Sequence, residues 1–200
     1  MMLSRTQIIL ASTSVTRREM LENAGAKVVV KPPTIDEDTV KQAIAGSDPA
    51  DVAMILAHAK AISVSETNPS ALVVAADQVL NLDGRILSKP RTKNDARDQL
   101  LDLRGRSHVL ISAVACAKDG AVVWSHDDEA TLIMRNFTTD FLGAYLAALD
   151  DDVTQTVGGY RLEGLGAQLF TRVEGDHFTV LGLPLLPLLD YLRQENVLLT

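Results

Sequence analysis

Cys116 is the only cysteine in this 200-residue chain. That excludes an internal disulfide and a cysteine-based zinc centre, and its place in the run Val114-Ala115-Cys116 marks it as a buried packing residue. Long apolar runs are also missing. None approaches the roughly 20 residues that a membrane-crossing helix needs. The N-terminus lacks the pattern of an export signal, its apolar segment being only a few residues long. A cytoplasmic protein that does not engage a membrane is therefore expected. Positive charge is in deficit, with 19 Lys and Arg against 26 Asp and Glu for a net charge of −7. That argues against a nucleic-acid polymer as partner, because such binding rests on neutralising phosphates with basic side chains. A small anionic ligand stays open, since a local cluster of bases or a metal can override the mean. Repeats and low-complexity linkers are absent, so residues 1–200 read as one domain, with room for two lobes sharing a core. What is present, 46% apolar and 22% charged residues, is ordinary globular composition.

The stretch that organises the chain runs from Leu72 to Pro90. Leu72 to Ala76 is a short apolar run rich in Val and Ala, the pattern of a strand buried on both faces, and it is expected to end at Asp77-Gln78. The chain resumes at Val79-Leu80, turns at Asp83-Gly84 and returns through Ile86-Leu87 to Lys89-Pro90. Asp-Gly between apolar runs predicts a hairpin. A carboxylate and a lysine placed across that hairpin could hold a cation and a phosphate together; the same pair also reads as a capping acid and a solvated base.

Upstream, Gln7 to Ala11 reads as a strand, and Ser12-Thr13-Ser14 leads from it into a helix through Arg17 to Leu21 that stops at Ala24-Gly25. Small hydroxyl residues at a helix N-terminus make a ready anion site. Arg17 and Arg18 could add bidentate phosphate contacts, or be solvated beside a plain N-cap. Lys27 to Lys31 is a second strand. Asp36-Glu37-Asp38 after Pro32-Pro33 could supply a divalent-metal ligand or start a helix. Residues from Pro49 to Ser65 have helical spacing and carry His58, expected to be partly exposed, and Lys60.

Downstream, Asn94 to Leu103 predicts an amphipathic helix. His108 to Ala117 and Ala121 to Trp124 predict a hairpin through Lys118-Asp119-Gly120, with a separate strand from Asp127 to Arg135. Asp140 to Leu149 predicts a helix, with the acidic run Asp150 to Asp152 as a solvated turn. Val157 to Leu169 is dense in glycine, which implies positive backbone angles or a close approach. It is not the dinucleotide fingerprint, whose G-x-G-x-x-G spacing is absent. Arg161 and Glu163 sit in it, and an irregular turn between strands accounts for it equally well. Pro184 opens a last apolar helix, Leu185 to Leu192.

Taken together, the stretches LAST-S-VTRREML, T-IDED, AADQVLNLDGRILSKP, LRGRSHVLISAVA, GGYRLEGLGAQLF and VLGLPLLPLL resemble, in type, order and spacing, the Maf-like nucleotide pyrophosphatases, over about residues 7 to 193. The resemblance implies an α/β fold with an elongated, two-lobed mixed sheet and flanking helices. It would be similar to that of the inosine triphosphate pyrophosphatases, with a cleft between the lobes. It implies metal-dependent hydrolysis of nucleoside triphosphates to monophosphate and pyrophosphate, a house-cleaning role, and a link to septum formation from which the family takes its name. A homodimer is implied only in this way.

By position, the resemblance puts Ser12 and Arg17 on phosphate, and Glu37 and Asp77 on a Mg²⁺ or Mn²⁺ ion. Asp77 falls on the central catalytic acidic residue, where it would also act as general base, and Lys89 falls on the lysine of the KP motif. Two positions depart from the common pattern. Thr16 replaces one of the paired arginines, so Arg18 is the candidate substitute. Asp77-Gln78 replaces Asp-Thr, and Glu163 stands where Gln is an alternative. These two, Gln78 and Glu163, look like the branch acting on 7-methyl-GTP rather than on dTTP and UTP, because a carboxylate suits the N–H donors on a guanine edge. A nucleotide-binding regulator of cell division, without turnover, is the competing class.

Overall fold

The structure is a computed structural model that describes residues 3–199, apart from the side chains at positions 150 and 151. The chain opens with strand β1 (Gln7–Leu10), helix α1 (Val15–Asn23) and strand β2 (Lys27–Val30), then helices α2 (Glu37–Ala43) and α3 (Pro49–Ser65). Strands β3 (Val73–Leu82) and β4 (Arg85–Leu87) form the expected hairpin, with Asp83 and Gly84 both at positive φ in its turn. Helix α4 (Lys93–Leu103), strands β5 (Ser107–Lys118) and β6 (Ala121–Met134) and helix α5 (Thr139–Leu149) follow. Short 3-10 turns lead to strand β7 (Phe170–Glu174), helix α6 (His177–Val180) and helix α7 (Leu185–Gln194).

All seven strands join one mixed sheet in the order β2-β1-β3-β5-β6-β7, with β4 on β3. β1 is parallel to β2 and β3, and the remaining pairs are antiparallel. Helix starts follow their caps. Asp36 Oδ1 accepts from the Asp38 and Thr39 amides ahead of α2, and Thr92 and Asp95 form a reciprocal capping box on α4.

Period-two alternation sorts the sheet residues. Ile9, Val73, Ala75, Ala113 and Ala115 pack on α3. Ile8, Leu10, Val74, Ala76, Val114 and the fully buried Cys116 pack on α1 and α7. A third core gathers Leu80, Leu82, Leu110 and Leu132 under α4 and α5. Val73, Ala75 and Val79 of β3 thus face α3, Val74 and Ala76 face α1 and α7, and Leu80 and Leu82 reach the third core.

Four expectations are corrected. β3 does not stop at Asp77; it runs through both polar residues because β5 pairs with it from Val73 to Asn81. β6 is one 14-residue strand rather than two, since β5 pairs it throughout with a single register shift at Cys116/Ala117. β7 and α6 are additional elements. The acidic run lies in a 3-10 helix, Asp150–Thr154; the expectation of solvated side chains at Asp150 and Asp151 lies outside the described residues.

The glycine-dense stretch holds Gly158 at φ +74°, and a Cβ there would sit 2.7 Å from both Leu80 Cδ1 and Tyr160 Cε1. Gly158→Ala is therefore expected to lower the free energy of unfolding by roughly 1–3 kcal/mol in urea titration. Gly143→Ala, on an exposed face of α5 with nothing within 4 Å, is expected to raise it by a few tenths up to about 1 kcal/mol.

Candidate active site

β1 leaves β3 after Leu10, and β4 joins β3 only at Leu80. Between them the edge of β3 has no strand neighbour among the described residues. A cavity of about 630 Å³ opens there, within the range of small-ligand pockets. Six bases and four acids line it, a positive balance in a chain of net charge −7.

One wall is the β1–α1 junction. Ser12 is buried, and its Oγ accepts from the Ser14 amide at 3.1 Å. Ser14 caps α1 by accepting from the Arg17 amide. Arg17 fills part of the open edge of β3: its Nη1 donates to Ala76 O and its Nε to Gly182 O, both at 2.8 Å. Nη2 has no partner among the described residues. Burial pulls the guanidinium below its ordinary value, and the charges of Asp77 and Glu37 push back.

The floor is an ion cluster that sequence reasoning did not foresee. Lys60, only 6% exposed on α3, places Nζ 2.5 Å from Asp77 Oδ1 and 2.8 Å from Glu37 Oε1. Strand alternation aims Asp77 at α3, and Glu37 arrives in the first turn of α2. Burial raises Glu37, but the hydrogen bond and charge of Lys60, with Lys41 behind, hold it below its ordinary value. A signal for Lys60 was present. It lies between Leu56 and Val64 at helical spacing, one cation in an otherwise apolar stripe.

Lys89 stands at the rim. Lost hydration, then the Arg17 and Lys60 charges, lower it from its ordinary value against the pull of Glu37 and Asp77. Gln78 also lines the cavity, but its Nε2 is turned inward, 3.0 Å from Ser112 Oγ and 3.1 Å from both Thr179 O and Val180 O. Glu163 and Arg161 also line the cavity, with apolar lining from Leu110, Val157, Leu162 and Val180. Ser12, Arg17, Glu37, Asp77, Gln78, Lys89 and Glu163 are thus brought to one cavity. Arg18 is not: it faces Glu22 at 3.7 Å on the outside of α1, and Thr16 takes its place on the lining. Among the described residues no group of three or more His, Cys, Asp and Glu could by itself hold a metal. Glu37 and Asp77 are the oxygen donors facing the cavity floor.

A family model described as "Maf-like protein" matches residues 7–195. The chain belongs to the Maf-like family. It is 49% identical over 192 residues to a nucleoside triphosphate pyrophosphatase of Paramagnetospirillum magneticum, covering 95% of this chain and 99% of the relative. It is 44% identical over 192 residues to a 7-methyl-GTP pyrophosphatase of Brucella abortus, covering 95% and 96%. Among solved structures, a HAM1 protein from Coxiella burnetii matches with TM-score 0.44 and 18% identity, covering 66% of this chain and 74% of that one.

In this Maf-like chain the wall bearing Glu163 is tied to the sheet by a buried pair. His108 Nε2 lies 2.6 Å from Tyr160 Oη, while His108 Nδ1 is buried without a partner. Burial pushes the His108 imidazole down to about 4 and the Tyr160 hydroxyl up, so both are neutral in the fold. With the folded value depressed, the unfolded chain binds the extra proton first. The stability contributed by neutral His108 is present above pH ~6.5 and is lost as pH falls from there toward about 4. Denaturant midpoints across that window are expected to fall less steeply in His108→Gln than in the parent.

Proposed function

We propose that the chain is a hydrolase that splits nucleoside triphosphates between the α and β phosphorus to give monophosphate and pyrophosphate. The observation that carries the reading is the Lys60-bridged pair Glu37 and Asp77 on the floor of a positive cavity, beside a helix N-terminus. Arg17 and Lys89 supply charge for the β- and γ-phosphates. Ser12 and the free amides at the start of α1 orient them. The monophosphate end is left toward Asp77, where a water can attack the α-phosphorus in line with the departing pyrophosphate.

Asp77 takes the proton from that water. Lys60 fixes Asp77 through Oδ1, leaving Oδ2 for the task, and balances the charge of two neighbouring carboxylates. The residues fit a Mg²⁺ or Mn²⁺ ion of the kind held by one or two carboxylates together with substrate phosphates; Glu37 and Asp77 would hold it. Such an ion, when bound, neutralises phosphate charge and lowers the pKa of a coordinated water.

For the base, the carboxylate of Glu163 suits the N–H donors of a guanine edge, and the positive charge of an N7-methylated ring adds attraction. This supports 7-methyl-GTP as the favoured substrate, and the name borne by the Brucella abortus relative agrees with it. Clearing such modified nucleotides is the house-cleaning role this implies.

Pyrophosphate release with Mg²⁺ or Mn²⁺ across 7-methyl-GTP, GTP, dTTP, UTP, CTP and ITP tests both levels. Strongest turnover of 7-methyl-GTP is expected, with the preference lost in Glu163→Gln. Release from none of them refutes the activity, and a dTTP or UTP preference refutes only the base assignment. Asp77→Asn is expected to cut kcat by roughly 10²–10⁴-fold without changing the thermal midpoint by more than a few degrees. Lys89 loses its charge as pH rises through its lowered value. The alkaline limb of kcat/KM should therefore begin below the usual lysine range and move upward in Lys89→Arg.

A further inference from the structure

Arg161, Leu162 and Glu163 line the cavity at the start of a loop, residues 161–169, that folds on itself. The Gly164 amide donates to Arg161 O at 3.3 Å and the Ala167 amide to Gly164 O at 3.1 Å. Gly166 presses on the same backbone: a Cβ there would overlap Arg161 O and stand 2.8 Å from Arg161 N. The loop is therefore a self-packed unit, and its placement is decided at its two ends. Both ends meet at His108. The rings of Tyr160 and Phe170 touch edge to face with centroids 4.8 Å apart, and they lie 5.7 Å and 6.0 Å from the His108 imidazole. Phe170 is also fixed by pairing with Met134 of β6. Tyr160 is held by its hydroxyl, 2.6 Å from His108 Nε2, the one hydrogen bond between residues 155–166 and a strand among the described residues. Two other ties, from Tyr145 Oη to Gly159 O at 3.1 Å and from Thr156 Oγ1 to Tyr160 O at 2.8 Å, reach α5 and the turn itself.

We infer that His108 is a positioning residue for base selection: through Tyr160 it fixes where Glu163 stands in the cavity, and it touches neither base nor phosphate. His108 and Leu110 share a face of β5 by strand alternation, and Leu110 lines the cavity while His108 does not. His108 is 2% exposed and its Nδ1 has no partner, so its single polar contact is the one to Tyr160. Tyr160 Oη has no other partner among the described residues. Loss of either polar atom leaves the other buried and unpaired, which favours movement of Tyr160 away from the sheet. Glu163 has no hydrogen-bond partner among the described residues, so its carboxylate takes its place from the backbone that carries it. Arg17, Lys60 and Asp77 belong to α1, α3 and β3. A shift of the loop therefore reaches the base and leaves the phosphates where they are.

This inference rests on the proposed pyrophosphatase reading, and Mg²⁺-pyrophosphate, which has no base, helps to separate the two. Tyr160→Phe removes only the hydroxyl, and His108→Leu removes the imidazole. In each, the ratio of KM values between the worst and best nucleotides of the panel, whichever base the parent prefers, is expected to shrink roughly tenfold, the size of one misaligned charge-assisted hydrogen bond. The dissociation constant of Mg²⁺-pyrophosphate, by calorimetry, should stay at the parental value. His108→Gln, whose amide can reach the Tyr160 hydroxyl, is expected to keep the parental ratio; a side chain that only filled space would be replaced as well by Leu. Tyr160→Phe decides the matter if His108→Leu does not fold. An unchanged ratio in folded Tyr160→Phe, a parent with no base preference, or a loss of pyrophosphate affinity equal to that of the nucleotides overturns the inference. Absence of turnover on every nucleotide would refute the proposed activity, and dissociation constants of the same nucleotides, measured in place of KM, would then decide the role of His108.

Discussion

A single buried ammonium sets the terms for the site. Two carboxylates within hydrogen-bond reach of the same point repel each other, and a lysine buried in an apolar helix face is costly without partners. Lys60 between Asp77 and Glu37 resolves both problems at once. The solution requires three elements to converge: α3 packed flat on the sheet so that its one cation reaches β3, a strand through Asp77 so that alternation points it at α3, and α2 capped so that its first residue is Glu37. Ion pairs of this kind add little net stability over an apolar replacement. Removing one partner is another matter, because it strands the others. The cluster is therefore better understood as a device that fixes geometry than as a source of stability.

The sheet face opposite α3 does the complementary work. Along β5, His108 holds Tyr160 and with it the wall that bears Glu163, while Ser112 holds Thr179 and with it the segment that reaches Arg17. Leu110, between them on the same face, lines the cavity. One strand therefore sets the spacing between the two walls. Buried hydroxyl and imidazole groups on a strand that is otherwise Val, Leu, Ile and Ala are explained by this task, since each satisfies a partner that belongs to another element.

Most regular elements were legible in the sequence because local signals agreed with tertiary packing. The Asp83-Gly84 turn, Thr92 ahead of α4, Pro49 opening α3 and the apolar periodicity of α7 each say the same thing at both levels. The failures have physical causes. β3 was cut at Asp77 because polar residues in a strand look like its end, whereas nine paired positions along β5 carry the ladder through them. The expected break in β6 at Ser125-His126 rests on two polar residues after Trp124; cross-strand pairing with β5 overrides that preference. β7 is short, mostly exposed and held by pairing with β6, so its own residues carry no strong pattern. At the site, the stretches named from sequence did come together, but the resemblance alone could not reveal which side chain of a pair faces inward. Arg18 and Arg17 are adjacent in sequence, yet the helical turn sends them to different sides of α1.

The two ends of the cavity are fixed by different means, and this bears on how selectivity can vary. The phosphate end is built from strand edges, a helix cap and buried ions, all of which belong to the packed sheet. The base end rides on a turn that reaches the sheet through Tyr160 and through the close approach of Gly158 to Leu80, and Glu163 itself is exposed. A substitution at Glu163 meets no buried partner among the described residues, so it can change what the base encounters without disturbing Asp77, Lys60 or Arg17. Gln78 differs in that its Nε2 is already engaged by Ser112 Oγ, Thr179 O and Val180 O. Two residues that both line the cavity are therefore anchored unequally: a change at Gln78 disturbs hydrogen bonds to β5 and to the Thr179–Val180 carbonyls, and a change at Glu163 does not.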